Sequence, residues 1–210
     1  MLAVFGASAT TGKILVRQAL EQGYAVTAYA RNPAKLNITH PGVKVVQGEL
    51  QDLPAISRAV EGADAVISLL GPTGRVKGRP VSEGMANIIA AMRGKEVQRL
   101  VPTATPSAPD PKDSFDFGFR LAVKMVKLTM GDAYADIVGT EAVIRDSGLD
   151  WTIVRLPLLS NKPKTGIVKT WYLGDRKIKL SSVSRGDLAD FLLAQVNEPK
   201  FLHQAPVINN

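Results

Sequence analysis

Seven residues near the start of the chain, Gly6-Ala7-Ser8-Ala9-Thr10-Thr11-Gly12, combine small side chains with hydroxyls where a strand hands over to a helix. A glycine in such a turn lets the backbone approach a phosphate, and the free amides and dipole of the following helix attract negative charge. Ser8, Thr10 and Thr11 add hydroxyl donors, while Gly12 lets the helix lie close to the strand. The chemistry implied is the binding of a pyrophosphate, and hence of a dinucleotide. A plain strand–turn–helix corner of small residues is the alternative, because a glycine loop alone is a weak signal.

The next residues narrow the choice. A site selective for NAD carries a carboxylate about 20 residues further on, where it binds the ribose 2′-hydroxyl. Here the second strand ends in Tyr29-Ala30-Arg31-Asn32-Pro33, with Arg31 where that acid would stand and Lys35 nearby. A guanidinium can hold a 2′-phosphate bidentately and stack on adenine. NADP(H) is therefore the expected cofactor, against the plainer reading of Arg31 as a solvated turn arginine.

These groups need a scaffold that brings strand ends together. Strand candidates are Leu2–Phe5, Ala25–Ala30, Val43–Gln47, Ala65–Leu70, Arg99–Pro102 and Trp151–Arg155. Helical patterns lie between them near Thr11–Gln22, Leu53–Val60, Ser82–Arg93 and Ile137–Ser147. Continuously apolar strands such as Ala65–Leu70 require cover on both faces. The alternation implies right-handed βαβ units and an open α/β Rossmann-type, doubly wound parallel sheet. Thr103–Phe117, with several prolines, reads as a loop, followed by a helix over Phe119–Met130. A strand at Lys177–Ser182 and a helix at Asp187–Gln195 complete the pattern. With no repeat or linker, residues 1–210 are expected to form one domain whose C-terminal third makes a small cap on the substrate side.

Composition excludes several functions. There are no cysteines, so disulfides, thiolate ligands and cysteine nucleophiles are ruled out. His40 and His203 are the two histidines and lie far apart, so no metal site is expected. The formal charge of +7 is spread along the chain and aromatics are 6%, which favours an anionic cofactor over nucleic acid. No apolar run reaches the roughly 18 residues of a membrane span, and no basic leader precedes the first strand, so a cytoplasmic protein is expected.

The loop, Arg31-Asn32-Pro33, Gly48-Glu49-Leu50-Gln51-Asp52, Leu69-Leu70-Gly71 and Arg185-Gly186-Asp187-Leu188-Ala189 occur in a fixed order over essentially the whole chain. Together they resemble an atypical short-chain dehydrogenase/reductase of the NmrA-like, NAD(P)H-binding branch that includes biliverdin-IXβ/flavin reductases. The branch usually has Gly-x-x-Gly-x-x-Gly, and Ala9 replaces its middle glycine. The resemblance implies that Glu49 and Leu50 border the adenine, and that Leu70 and Gly71 pass the ribose and pyrophosphate. It also implies that Thr103 to Thr105 lie near the nicotinamide and that Pro157 and Leu158 pack against it. Leu50 and Leu70 equally suit a buried core.

Ketone-reducing relatives use a Tyr-x-x-x-Lys pair in which lysine lowers the phenol pKa. None of the four tyrosines here has that lysine; Tyr134 is followed at the spacing by Val138, and Tyr172 by Arg176. A conjugated acceptor spreads the incoming charge, so solvent can supply the proton and positioning becomes most of the catalysis. The expected activity is NADPH-dependent reduction of a planar conjugated acceptor such as a flavin or quinone. Thr105 orients the substrate in that reading, by its approximate match to a serine of the biliverdin/flavin reductases; capping of the Pro-rich loop is its plain role. A non-catalytic NADP(H)-binding redox sensor is the alternative, and a subunit acting on a larger partner through its basic surface is a third. Arg120, Lys124 and Lys127 share a helix face that is solvated or borders a site for an acidic substrate. The cationic loop Gly71–Pro80 is a surface loop or a lid. A monomer or weak homodimer, without nucleic-acid or membrane partners, is expected.

Overall fold

The computed structural model describes residues 1–72, 77–175 and 181–210. At its centre β1 (Leu2–Phe5) lies between β2 (Val26–Ala30) and β4 (Ala65–Ser68). Outside these lie β3 (Val43–Gln47), next to β2, and β5 (Arg99–Ala104), next to β4. β6 (Asp150–Trp151) and β7 (Val154–Arg155) pair with β5, also parallel. The C-terminal strand β11 (Val207–Asn209) follows β7, and β9 (Lys169–Trp171) closes the edge antiparallel to it. A separate parallel pair is formed by β8 (Leu158–Ser160) and β10 (Ser182–Ser184). The order 3-2-1-4-5 followed by β6/β7 is the doubly wound Rossmann-type arrangement predicted from the strand–helix alternation.

Alternating side chains explain why the strands are apolar throughout. Leu2 and Val4 face one way, into a layer with Leu15 and Val16 of α1 (Thr10–Glu21) and Leu188 and Leu192 of α6 (Arg185–Asn197). Ala3 and Phe5 face the opposite layer, with Ile56 of α2 (Leu53–Val60), Met85 and Ile88 of α3 (Pro80–Gly94) and Ile144 of α5 (Gly131–Arg145). The residues of β1, β2 and β4 are therefore buried whichever way they point. Helix α4 (Phe117–Thr129) is different: none of its residues is buried.

Several boundaries depart from the sequence expectation. Trp151–Arg155 forms two short strands, because the break at Thr152 and Ile153 faces Pro102, which has no N–H to give the ladder. β5 runs on to Ala104, placing Thr103 inside the strand and not in the loop. α5 begins at Gly131, six residues before the expected Ile137, directly after α4. Of the expected strand over Lys177–Ser182, residues 177–180 lie outside the described residues; the chain pairs instead at β10. Residues 73–76 of the cationic loop also lie outside them. The C-terminal third does more than cap, since β9 and β11 extend the main sheet.

Arg185-Gly186-Asp187 owes its place to the carboxylate. Asp187 is buried and accepts hydrogen bonds from the amides of Thr165 (2.9 Å) and Gly166 (2.8 Å), from the Ser184 hydroxyl (2.6 Å) and from Asn210. Its own amide donates back to Ser184 Oγ at 3.0 Å, closing a reciprocal cap on α6. Burial pushes its pKa up, but the hydrogen bonds from Ser184, Thr165 and Gly166 outweigh it and hold the carboxyl below its ordinary value. A depressed carboxyl contributes stability above the unfolded pKa of about 3.9 and loses it as pH falls through the folded value. Asp187→Asn is expected to cost about 2 kcal/mol at pH 7, the scale of hydrogen bonds to a charged group. In urea titrations the deficit relative to wild type should shrink steadily below about pH 4. A deficit independent of pH would refute the role of the charge.

Candidate cofactor and active site

The sheet register brings the predicted residues to one edge. Phe5 is opposite Tyr29 and Ser68, and Ser68 is opposite Pro102. The segments beginning at Gly6, Arg31, Leu69 and Thr105 therefore leave neighbouring strands side by side, at the carboxyl ends where open α/β sheets bind ligands. Glu49 and Leu50 follow β3 on one flank. Leu156 to Leu158 follow β7 on the other, where the Leu156 amide donates to Ala104 O at 2.9 Å.

The loop after β1 is shaped by contact. Gly6 has φ +81°, and a Cβ there would lie 3.2 Å from Leu69. At Gly12 a Cβ would fall 2.2 Å from Gly6 O and 2.7 Å from Ala7, so α1 sits directly on the loop and only glycine fits. Ala9, in place of the usual glycine, has φ −73°, a conformation open to any residue. Its amide donates to Gly6 O at 3.1 Å, closing the turn. Ala9 and Thr10 are exposed, Gly6 and Ser8 half-buried and Thr11 buried. The first turn of α1 has no side-chain cap and no acidic residue. By contrast Asp52, Asp116 and Ser184 cap α2, α4 and α6, and buried Asp136 takes the amides of Val81 (3.1 Å) and Ser82 (2.7 Å) at the start of α3. The open amides of α1 and the glycine cradle fit a pyrophosphate.

Beside it, the segment after β3 is held by Tyr29. Its hydroxyl donates to Glu49 O at 2.7 Å, and a Cβ on Gly48 would lie 2.2 Å from that hydroxyl. Burial, then the charges of Asp52 and Glu49, push the phenol up to about 12, so it keeps its proton as a donor. Leu50 is half-buried, packed on Gly84, with its carbonyl accepting from Asn87 at 2.8 Å. Arg31 is exposed at the end of β2, with Gln47 donating to its carbonyl at 3.4 Å; no carboxylate pairs with it among the described residues. Leu70 is half-buried against the core and Gly71 is exposed. Thr103 donates to Ser68 O at 3.3 Å, which ties β5 to β4. Thr105 is exposed, and its hydroxyl shares a 2.6 Å hydrogen bond with that of Ser107. Pro157 is half-buried; Leu158 is in β8 and largely exposed.

Beside Thr105 a cavity of about 580 Å³ opens between the Pro-rich loop and α4. Phe115, Phe119, Val123, Tyr134 and Leu173 give it an apolar, aromatic wall, and Pro106 and Ser107 connect it to the end of β5. Two acid–base pairs hold the loop in place. Asp113 receives both terminal nitrogens of Arg155, at 2.6 and 2.7 Å, and the Leu173 amide at 3.0 Å. Arg155 is fully buried and its Nε donates to Ala205 O at 2.7 Å. Asp110 pairs with Arg145 of α5 at 2.7 Å. Neither pair was marked by sequence, because the partners lie 42 and 35 residues apart. Tyr134 lines the cavity as well; with Val138 at the usual lysine position, the lysine over its ring, 6.0 Å from the centroid, is Lys127 of α4.

The pattern of an NAD(P)H-binding family matches residues 6–199. The chain belongs to that family. A curated relative, the (4-alkanoyl-5-oxo-2,5-dihydrofuran-3-yl)methyl phosphate reductase of Streptomyces griseus, is 29% identical over 189 residues. That match takes in 89% of this chain and 56% of the relative, so the chain spans about half its length. Among solved structures, ChuY, an anaerobillin reductase from Escherichia coli O157:H7, superposes with a TM-score of 0.80 at 19% identity, covering 99% of this chain and 96% of that one. A short-chain dehydrogenase/reductase from Veillonella parvula in complex with NADP gives 0.76 at 19% identity, covering 100% and 94%. These likenesses show a shared fold. The Streptomyces relative and ChuY are both named reductases. No helix among the described residues is long and apolar enough to cross a membrane.

The Arg155–Asp113 pair gives a direct test of how the cavity loop is held. Asp113→Asn leaves the fully buried guanidinium without a counter-charge, and loss of a buried partner costs about 3–5 kcal/mol. Asp64→Asn, at the exposed pair with the N-terminus, should cost under about 1 kcal/mol. Equal losses in urea denaturation would show that Arg155 does not depend on Asp113.

Proposed function

We propose that the protein is an NADPH-dependent reductase of a planar conjugated acceptor, of the flavin or quinone class. The reading is carried by the cavity, whose aromatic wall lies next to Thr105 at the end of β5 and whose one tyrosine has no lysine at the catalytic spacing. When bound, reduced nicotinamide would supply a hydride, one proton with two electrons, to such an acceptor. The acceptor's second proton comes from solvent, because charge delocalised over a conjugated system needs no strongly acidic side chain. Gly6, Ser8, Ala9, Thr10, Thr11 and Gly12 hold the pyrophosphate. Arg31 takes the 2′-phosphate, with Glu49 and Leu50 beside the adenine. Leu70 and Gly71 border the ribose, and Thr103, Pro157 and Leu158 flank the nicotinamide. The Thr105 hydroxyl, poised by Ser107, orients the acceptor. In this reading residues 1–210 act as one domain in the cytoplasm, on a small molecule, without nucleic acid or membrane.

The Streptomyces relative supports the choice of acceptor, since its named substrate is a dihydrofuran ring bearing oxo and alkanoyl groups. The Veillonella structure, named with NADP, supports the cofactor. Mixing the protein with NADPH and a panel of FMN, riboflavin and small quinones should accelerate loss of the reduced-nicotinamide absorbance. Tight NADPH binding without acceleration by any member would overturn the reductase and leave a redox sensor in its place.

Cofactor choice is tested separately. Arg31→Ala should weaken NADPH binding about tenfold or more, the scale of one charge-assisted bidentate contact, and leave NADH nearly unchanged. An unaltered NADPH-to-NADH ratio would remove Arg31 from the site.

A further inference from the structure

The cavity beside Thr105 has charged groups of both signs in its lining, and they are not equally committed. All three carboxylates have structural work. Asp110 is paired with Arg145, Asp113 with Arg155, and Asp116 caps α4 by accepting from the Phe119 amide at 2.7 Å. The three cations in the lining, Arg120, Lys124 and Lys127, have no carboxylate within ion-pair distance among the described residues. The residues outside the description, 73–76 and 176–180, contain no Asp or Glu that could pair with them.

Their placement follows from helical spacing. Phe119 and Val123, one turn apart, turn α4 toward the cavity, and Arg120, Lys124 and Lys127 lie one turn apart along the adjoining strip of the same face. At 1.5 Å per residue the three span about 10 Å of the rim. Arg120 rests on the Phe115 ring at 5.1 Å and Lys127 on Tyr134 at 6.0 Å, so two of the charges sit on the same aromatic surface that would receive a flat ligand. One cavity thus combines an aromatic wall with a row of uncompensated positive charge.

We infer that Arg120, Lys124 and Lys127 determine substrate specificity by binding phosphate or carboxylate groups on the conjugated acceptor, so that the preferred substrates of the reductase are anionic. The inference rests on the reductase reading for its substrate and adds which acceptors that reductase selects. Guanidinium and ammonium groups clustered on a partly apolar wall hold such anions through charge-assisted hydrogen bonds. The apolar wall takes the ring system.

FMN and riboflavin share one redox-active ring and differ by a phosphate, which isolates the anion. In the presence of NADPH the wild-type protein should reduce FMN with a kcat/KM at least about tenfold above riboflavin, the difference lying in KM. That preference should decline as salt rises. The variant Arg120→Gln/Lys124→Gln/Lys127→Gln should bring the FMN-to-riboflavin ratio down to about one, with circular dichroism and melting temperature confirming that α4 is intact. A matched pair of 1,4-naphthoquinone and a naphthoquinone propionate reads a carboxylate in the same way, so preference in one pair alone tells which anion is bound. Binding is measured alongside by titrating FMN and riboflavin into the protein saturated with NADP+. Tighter FMN binding without turnover would uphold the anion site while defeating the reductase reading. Turnover of both members of each pair at equal kcat/KM, binding of neither flavin, or a preference that survives the triple substitution would overturn the inference.

Discussion

Arg155 brings a positive charge into the interior at the end of β7, and the ligand side of the molecule is arranged around satisfying it. Its three donating nitrogens reach Asp113 of the cavity loop and Ala205 before β11, and its guanidinium lies over the Tyr172 ring at 5.8 Å. Asp113 in turn takes the Leu173 amide. One ion pair therefore joins a central strand, the Pro-rich loop and the segment beyond β9, three pieces with no shared strand ladder at that point. An unpaired charge at this depth would be costly, so the loop is held in one position. The shape of the cavity beside Thr105 depends on that constraint, as does the presentation of α4.

The opposite end of the ligand edge relies on closeness of backbone. α1 rests on the β1–α1 loop at a distance only Gly12 allows, and no side chain caps its first amides. Where α2, α4 and α6 carry a capping aspartate or serine at this position, α1 leaves donors for an anion. In the proposed reading the glycine loop seats the cofactor and the ion-paired loop serves the acceptor, with Thr103 to Thr105 between them. This division suits a reaction in which placing two ring systems against each other is most of the catalysis.

Much of this was legible from the chain. Residues 6 to 12 and the continuously apolar strands each report local requirements, a phosphate turn and a strand covered on both faces, and the absence of an acid at Arg31 carries the proposal of a 2′-phosphate. Whether position 9 needs the positive φ that glycine allows could not be judged from sequence, and the observed φ of −73° shows that Ala9 does not adopt it. The splitting of Trp151–Arg155 was hidden because its cause, Pro102, belongs to a different strand. Arg120, Lys124 and Lys127 were visible as one helix face. Whether that face met solvent or a cavity depended on what lay opposite.

Local sequence thus determined the fold class, the phosphate loop and the expectation of a basic cofactor pocket, because backbone conformation and hydrophobic periodicity are short-range properties. Tertiary structure decided which charges are spent and which remain free. Asp110 and Asp113 are matched to Arg145 and Arg155 across 35 and 42 residues, and Asp116 is used by the helix it begins. Charge pairing depends on distance in space, which no spacing along the chain reveals. The cationic edge of the cavity beside Thr105 stands out only once those carboxylates are engaged elsewhere.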